Sequence, residues 1–193
     1  MGDLESPDPF VRSLAAIGLC VQSPAHAEPA LPELLRTIDS AHVGLEREAA
    51  RVLIHVGPLH VPQLLATLVV EELMSDDRRG AIKNALLAAG PAAVTPIVKC
   101  MRGPGRFLVG DLGDVLLRIG APAVPDIVGM LVEEPDVRLK NFAAFLLGQM
   151  GPVARSALPA LKGATSSTDA DLVRAASAAI ARVQPGHGRP GGR

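Results

Sequence analysis

The sequence predicts an all-α solenoid of about five helical hairpins, and three observations predict it. A phrase recurs in which a glycine-proline break is followed by a second proline that opens an apolar run. It is seen at Gly57-Pro58 before Pro62, Gly90-Pro91 before Pro96, Gly120-Ala121-Pro122 before Pro125, and Gly151-Pro152 before Pro159. Equivalent glycines at 57, 90, 120 and 151 are spaced by 33, 30 and 31 residues, a period that belongs to stacked repeats. Between the breaks the apolar residues fall at helical spacing, and strand alternation is absent.

The elements follow in chain order. Asp8 opens a helix over 9–22, a second-helix remnant of a half-repeat. A weaker copy of the phrase, Pro24 then Leu31-Pro32, opens 28–39. Ala49-Ala50, Leu53-Ile54 and Val56 mark 44–56, closed by Gly57. Pro62 opens 61–74, where its missing N–H costs nothing, and Asp76-Asp77 opens 76–89 before Gly90. Pro96 opens 93–102 and Pro125 opens 123–133. Between them 106–119 departs from the pattern, because its interior Gly110 and Gly113 each cost about 1 kcal/mol relative to alanine. Close approach at the two glycines is the expected compensation, by a neighbouring helix in preference to a binding partner. Asp136 opens 136–150, Pro159 marks 154–163, and Asp171 opens 170–183. One domain over 1–183 is expected, with a disordered tail over 184–193 that has nothing to bury.

Composition narrows function by exclusion. With 19 basic and 20 acidic residues among 193, the net charge of −1 gives no field to attract nucleic acid or an acidic membrane. Cys20 and Cys100 lie in no CxxC or Cys/His spacing, so reduced thiols in the core are expected rather than a disulfide framework or a zinc site. No run reaches about 18 apolar residues and the N-terminus lacks a basic-then-apolar leader, which predicts a cytoplasmic protein. Met1-Gly2 with Ser6 meets only the outline of an acylation signal.

These units resemble HEAT repeats, in the short bacterial form of the phycobilisome-lyase group. The residues that carry the resemblance are Asp8, Val11-Arg12 and Ala15-Ala16; Ala49-Ala50 and Gly57; Asp136-Val137-Arg138, Ala143-Ala144, Gly148 and Gly151; and Asp171, Val173-Arg174 and Ala175-Ala176. It covers residues 8–183 and implies a right-handed α-α superhelix in a bacterial protein. Tetratricopeptide and ankyrin units share the period, but their aromatic and Thr-Pro-Leu-His signatures are missing.

Catalytic signatures are sparse. The histidines at 26, 42, 55, 60 and 187 form no HExxH, and none precedes glutamate, so the iron site of the similar deoxyhypusine hydroxylases is not carried over. His55 and His60 flank the Gly57-Pro58 turn, where solvated side chains are expected in preference to a shared metal. Gly103-Pro104-Gly105 lacks the Lys-Ser/Thr of a phosphate loop. Without Trp or Tyr, the chain also lacks the stacking surface of HEAT-like DNA glycosylases. Arg12, Arg138 and Arg174 with Asp8, Asp136 and Asp171 suggest an inter-repeat ion-pair ladder.

What remains is the face on which second helices align. Positions six before each closing glycine are Arg51, Asn84, Asp114 and Phe145, and positions two before are His55, Ala88, Arg118 and Gln149. Residues four apart share a helix face. With Arg47 and Asn141 these give a candidate partner-binding stripe on the concave side: Arg47, Arg51, His55, Asn84, Asp114, Arg118, Asn141, Phe145 and Gln149. Phe145 is its candidate anchor, unless the core claims it together with Phe142.

The functional expectation is a non-enzymatic interaction scaffold that binds another protein, with no cofactor, no metal, no nucleic acid and no membrane. The alternatives are a bilin-lyase-like accessory factor, implied by the resemblance, and a self-associating assembly protein, suggested by the sparse charge from Val94 to Leu131.

Overall fold

The computed structural model describes residues 2–40, 44–70 and 74–184. Its helices are α1 (Pro9–Gln22), α2 (Leu31–Ile38), α3 (Leu45–Val56), α4 (Val61–Val70), α5 (Asp76–Ala89), α6 (Pro91–Arg102), α7 (Val109–Ile119), α8 (Val124–Glu133), α9 (Val137–Met150), α10 (Leu158–Ala164) and α11 (Ala170–Val183). No strand occurs among the described residues, so the all-α class holds. The expected tail beyond Gln184, and His42 and His187, lie outside the described residues.

The boundaries show where punctuation chemistry acts. α2 and α10 start later than expected because a 3-10 turn precedes each, over Glu28–Ala30 and Gly151–Ala157. In α6 the helix begins at the Gly-Pro break itself and runs through Pro96, which therefore stands inside it. Pro91 already satisfies the first-turn rule there, and Pro96 gives up one helical hydrogen bond. α7 is preceded by a 3-10 turn over Arg106–Leu108.

Capping follows the residue that precedes the first helical position. The Asp8 carboxylate accepts from Phe10 N and that of Asp136 from Arg138 N, both at 2.9 Å, as expected. At α5 the cap is Ser75 rather than Asp76, and at α11 it is Asp169 rather than Asp171.

The repeated glycines serve two purposes. Gly90, Gly120 and Gly151 have φ of 55°, 77° and 58°, backbone that L side chains rarely adopt. Gly57, with φ of −53°, has no such need. A β-carbon there would stand 2.6 Å from the β-carbon of Ala85, so Gly57 is required by the close approach of α5.

The chain divides into two compact units, Met1–Val115 and Leu116–Arg193. In the first, α3 packs on α2 and α5, and α4 packs on α5 and α6. Leu34, Leu53, Leu64, Ile82, Leu86 and Ile97 are wholly buried there, each contributing about 1.5–3 kcal/mol. In the second, α9 packs on α8 and α11, and a β-carbon on Gly148 would lie 3.0 Å from the Ala179 backbone. Small residues at these crossings set the helix spacing.

Two polar expectations and one of packing are corrected. His60 is 4% exposed, and its Nε2 lies 2.7 Å from the Pro24 carbonyl, so it is a buried tether between successive turns. The ladder does not form on the expected arginines: Arg12 pairs with Glu33 at 3.3 Å and donates to the Ser6 carbonyl, while Arg174 pairs with Asp171 of its own helix. Asp8 and Asp136 are spent on caps. Inter-repeat pairing instead joins Arg78 to Asp39 at 3.1 Å and Arg79 to Asp111 at 3.0 Å. Finally, Gly110 has open space where its side chain would stand, so helix approach does not explain it; the close contact in that repeat is between Gly105 and Cys100.

Candidate functional site

The first unit brings together part of the predicted stripe. Arg47, Arg51 and His55 rise on successive turns of α3, and all three are exposed because Ala49, Val52, Leu53 and Val56 take the opposite face into the core. On α5, Asn84 and Ala88 are exposed beside them, since Ala81, Ile82, Ala85 and Leu86 are buried. The α3–α5 seam therefore carries two adjoining hollows. One, of about 560 Å³, is bordered by Arg51, His55, Ile54 and Ala88. The other, of about 430 Å³, is bordered by Arg47, Ala50, Asp76 and Asn84.

Charge on the seam is mixed. Arg51 pairs with Glu48 at 3.2 Å, one turn away on the exposed surface, a contact worth little by itself. Backbone N–H groups of Gly44 and of Glu46 itself hold the Glu46 carboxyl below its ordinary value. Asp114, also in this unit, is exposed on α7 but engaged by Lys83 at 3.2 Å, and Lys83 also reaches Asp111 at 3.4 Å. The structure thus gives Asp114 a stabilising partner within the chain.

In the second unit Arg118, Phe145 and Gln149 are exposed, and Asn141 is half-buried with its Oδ1 lacking a hydrogen-bond partner. Phe145 is 48% exposed, and its ring stacks on Phe142 with centroids 6.0 Å apart and planes inclined by 28°. The pair resolves the question of the core: Phe142 sits at the packing edge and Phe145 stands outward on it. Stacking fixes the orientation of the exposed ring at small entropic cost.

Sequence reasoning missed an apolar groove on the first-helix side of the first unit. α4 supplies Leu65, Ala66 and Val69, and α6 supplies Pro96, Lys99 and Cys100, enclosing about 540 Å³. Cys100 forms part of the floor at 9% exposure, and burial raises its thiol above the ordinary value, with the Gly105 N–H acting in the opposite sense. Both cysteines are free and buried, as expected. No cluster of three metal-ligating side chains exists among the described residues. No single described helix is long and apolar enough to cross a membrane.

No family model matches the chain, and no curated protein matches it. Among solved structures, the chain is similar to the complex of CpcE and CpcF of phycocyanin lyase from Nostoc sp. PCC7120. The two are 23% identical, the match covers 94% of this chain and 74% of that one, and the TM-score is 0.35. The expectation of a chain without enzymatic activity is withdrawn.

Proposed function

We propose that the chain is a bilin-lyase-like helical protein that grips another protein along the α3–α5 seam. The observation that carries the proposal is the seam itself. Arg47, Arg51 and His55 face Asn84 and Ala88 across two adjoining hollows, on helices whose opposite faces are locked in the core. Rigid elements with exposed arginine and neighbouring apolar atoms suit a partner's side chains, because little ordering entropy is lost on binding. A protein that adds or removes a chromophore carried by another protein must first hold that protein, and the seam supplies the hold. Phe145, upright on Phe142, is proposed as a second anchor in the other unit.

The test is affinity capture from a lysate of the native cell, comparing wild type with Arg51→Glu/Phe145→Ala, with absorbance spectra of both preparations after co-expression with a bilin source. Capture of a bilin-carrying protein by wild type and its loss in the variant, at unchanged thermal stability, is the expected result. A colourless preparation that captures an unpigmented partner would remove the lyase-like part and leave the grip. Equal capture by both proteins would remove the seam.

A further inference from the structure

The groove between α4 and α6 belongs to no part of the seam and has a chemistry of its own. We propose that it binds the chain of a fatty acid, with Lys99 holding the carboxylate at its rim. The size is suitable, since about 540 Å³ lies within the roughly 300–1,000 Å³ of small-molecule sites. The walls determine the body of the ligand. Leu65, Ala66, Val69 and Val70 face Pro96 and Cys100, and of the described residues that line the groove only Thr95 and Lys99 carry charged, hydroxyl or amide side chains. Prolines 62 and 96 have no N–H to offer, and burial keeps the Cys100 thiol protonated. A polar ligand would therefore lose its hydration there without replacement, whereas a hydrocarbon chain gains about 0.8 kcal/mol for each methylene it buries.

The single charge determines the head group. Among the described residues Lys99 is exposed at the groove and makes no ion pair, and no carboxylate lines the site. Its aliphatic stem can lie along the chain with the ammonium in water, the usual disposition of lysine at an apolar edge. One cation matches one carboxylate. No aromatic side chain lines the groove, so a flat conjugated ring finds nothing to stack on. These two features favour a single-tailed monocarboxylate over a bilin, a membrane surface or a second copy of the chain.

The experiment is isothermal titration of the full chain with dodecanoate, and with dodecanol as the neutral analogue, using wild type, Lys99→Glu, Val70→Glu and Arg51→Glu. Val70 is 77% exposed, so a charge there closes the mouth of the groove without touching the core. Expected are saturable dodecanoate binding by wild type and Arg51→Glu, its loss in Val70→Glu, and a weakening of about fivefold in Lys99→Glu with dodecanol unaffected. Absence of saturable binding by wild type overturns the proposal, as does dodecanoate binding that survives both groove substitutions. Biliverdin binding that Val70→Glu abolishes, with no dodecanoate binding, would assign the groove to the chromophore. Sedimentation showing a wild-type dimer that Val70→Glu dissociates would assign it to a second copy. Because Arg51 belongs to the seam and Lys99 to the groove, failure of either reading leaves the other measurable.

Discussion

His60 and Pro24 are joined across 36 residues by a hydrogen bond of 2.7 Å between Nε2 and a backbone carbonyl, with the imidazole almost wholly buried. The Gly57–Leu59 turn carries His60, and the Pro24–His26 turn carries the carbonyl, so the bond fastens one inter-helix turn to its predecessor. His60→Ala should therefore leave the part-buried Pro24 carbonyl with only its turn bond from the Ala27 N–H, at 3.3 Å, and a cavity where the imidazole stood. The expected loss is about 2–4 kcal/mol in urea unfolding, with helix content by circular dichroism unchanged. A loss below about 0.5 kcal/mol would mean that water replaces the imidazole.

Gly57 and Ala85 should behave as a coupled pair. Gly57→Ala would press one β-carbon on another at 2.6 Å and should destabilise by about 1–3 kcal/mol. Ala85→Gly by itself costs about 1 kcal/mol through helix propensity. In the double variant the clash is gone, so its cost should fall below the sum of the two singles. Strict additivity in a double-mutant cycle would show that the helices relax apart and that the contact does not set their spacing.

These two contacts also mark how far the sequence could be read. Helix positions were legible because each boundary is written in proline, glycine or a capping side chain, and the period repeats them. The reason for each residue was less legible. Gly57 stands in register with Gly90 and Gly120, yet its backbone is ordinary and its role depends on Ala85, a residue of the next repeat. Ser75 and Asp169 were overlooked as caps because acidic residues follow one or two positions later. The exposed stripe on α3 and α5 was legible from spacing within a helix. The α4–α6 groove was not, since Leu65 and Val69 read as core residues until the next repeat is seen to leave space beside them.

Asp111 is the point at which two cations of α5 converge, with Arg79 at 3.0 Å and Lys83 at 3.4 Å, all three partly shielded. Asp111→Ala leaves like charges facing each other one helical turn apart. A loss of about 1–2 kcal/mol is expected at low ionic strength, shrinking as salt screens the repulsion. A loss independent of salt would assign the effect to packing around α7 instead. Asp114→Ala should cost less than Asp111→Ala, because Asp114 is the more exposed carboxylate and Asp111 still holds Lys83 when it is removed.

Cys20 should make stability fall at high pH. Burial raises its thiol from 9.0 to about 11, because the thiolate would lose its hydration in the core. Below pH 9 both folded and unfolded chains hold the proton, and the group has no effect on the pH dependence. Between about 9 and 11 the unfolded chain has released a proton that the folded chain still binds, so stability declines by up to about 1.4 kcal/mol per pH unit. Chemical denaturation of wild type and Cys20→Ala at pH 8 and pH 10.5 isolates this contribution, since the other ionising groups are common to both. The gap between the two proteins should narrow by about 2 kcal/mol at the higher pH. A constant gap would mean that the thiol titrates alike in the folded and unfolded chains, and that the Cys20 environment is wetter than its packing against the core implies.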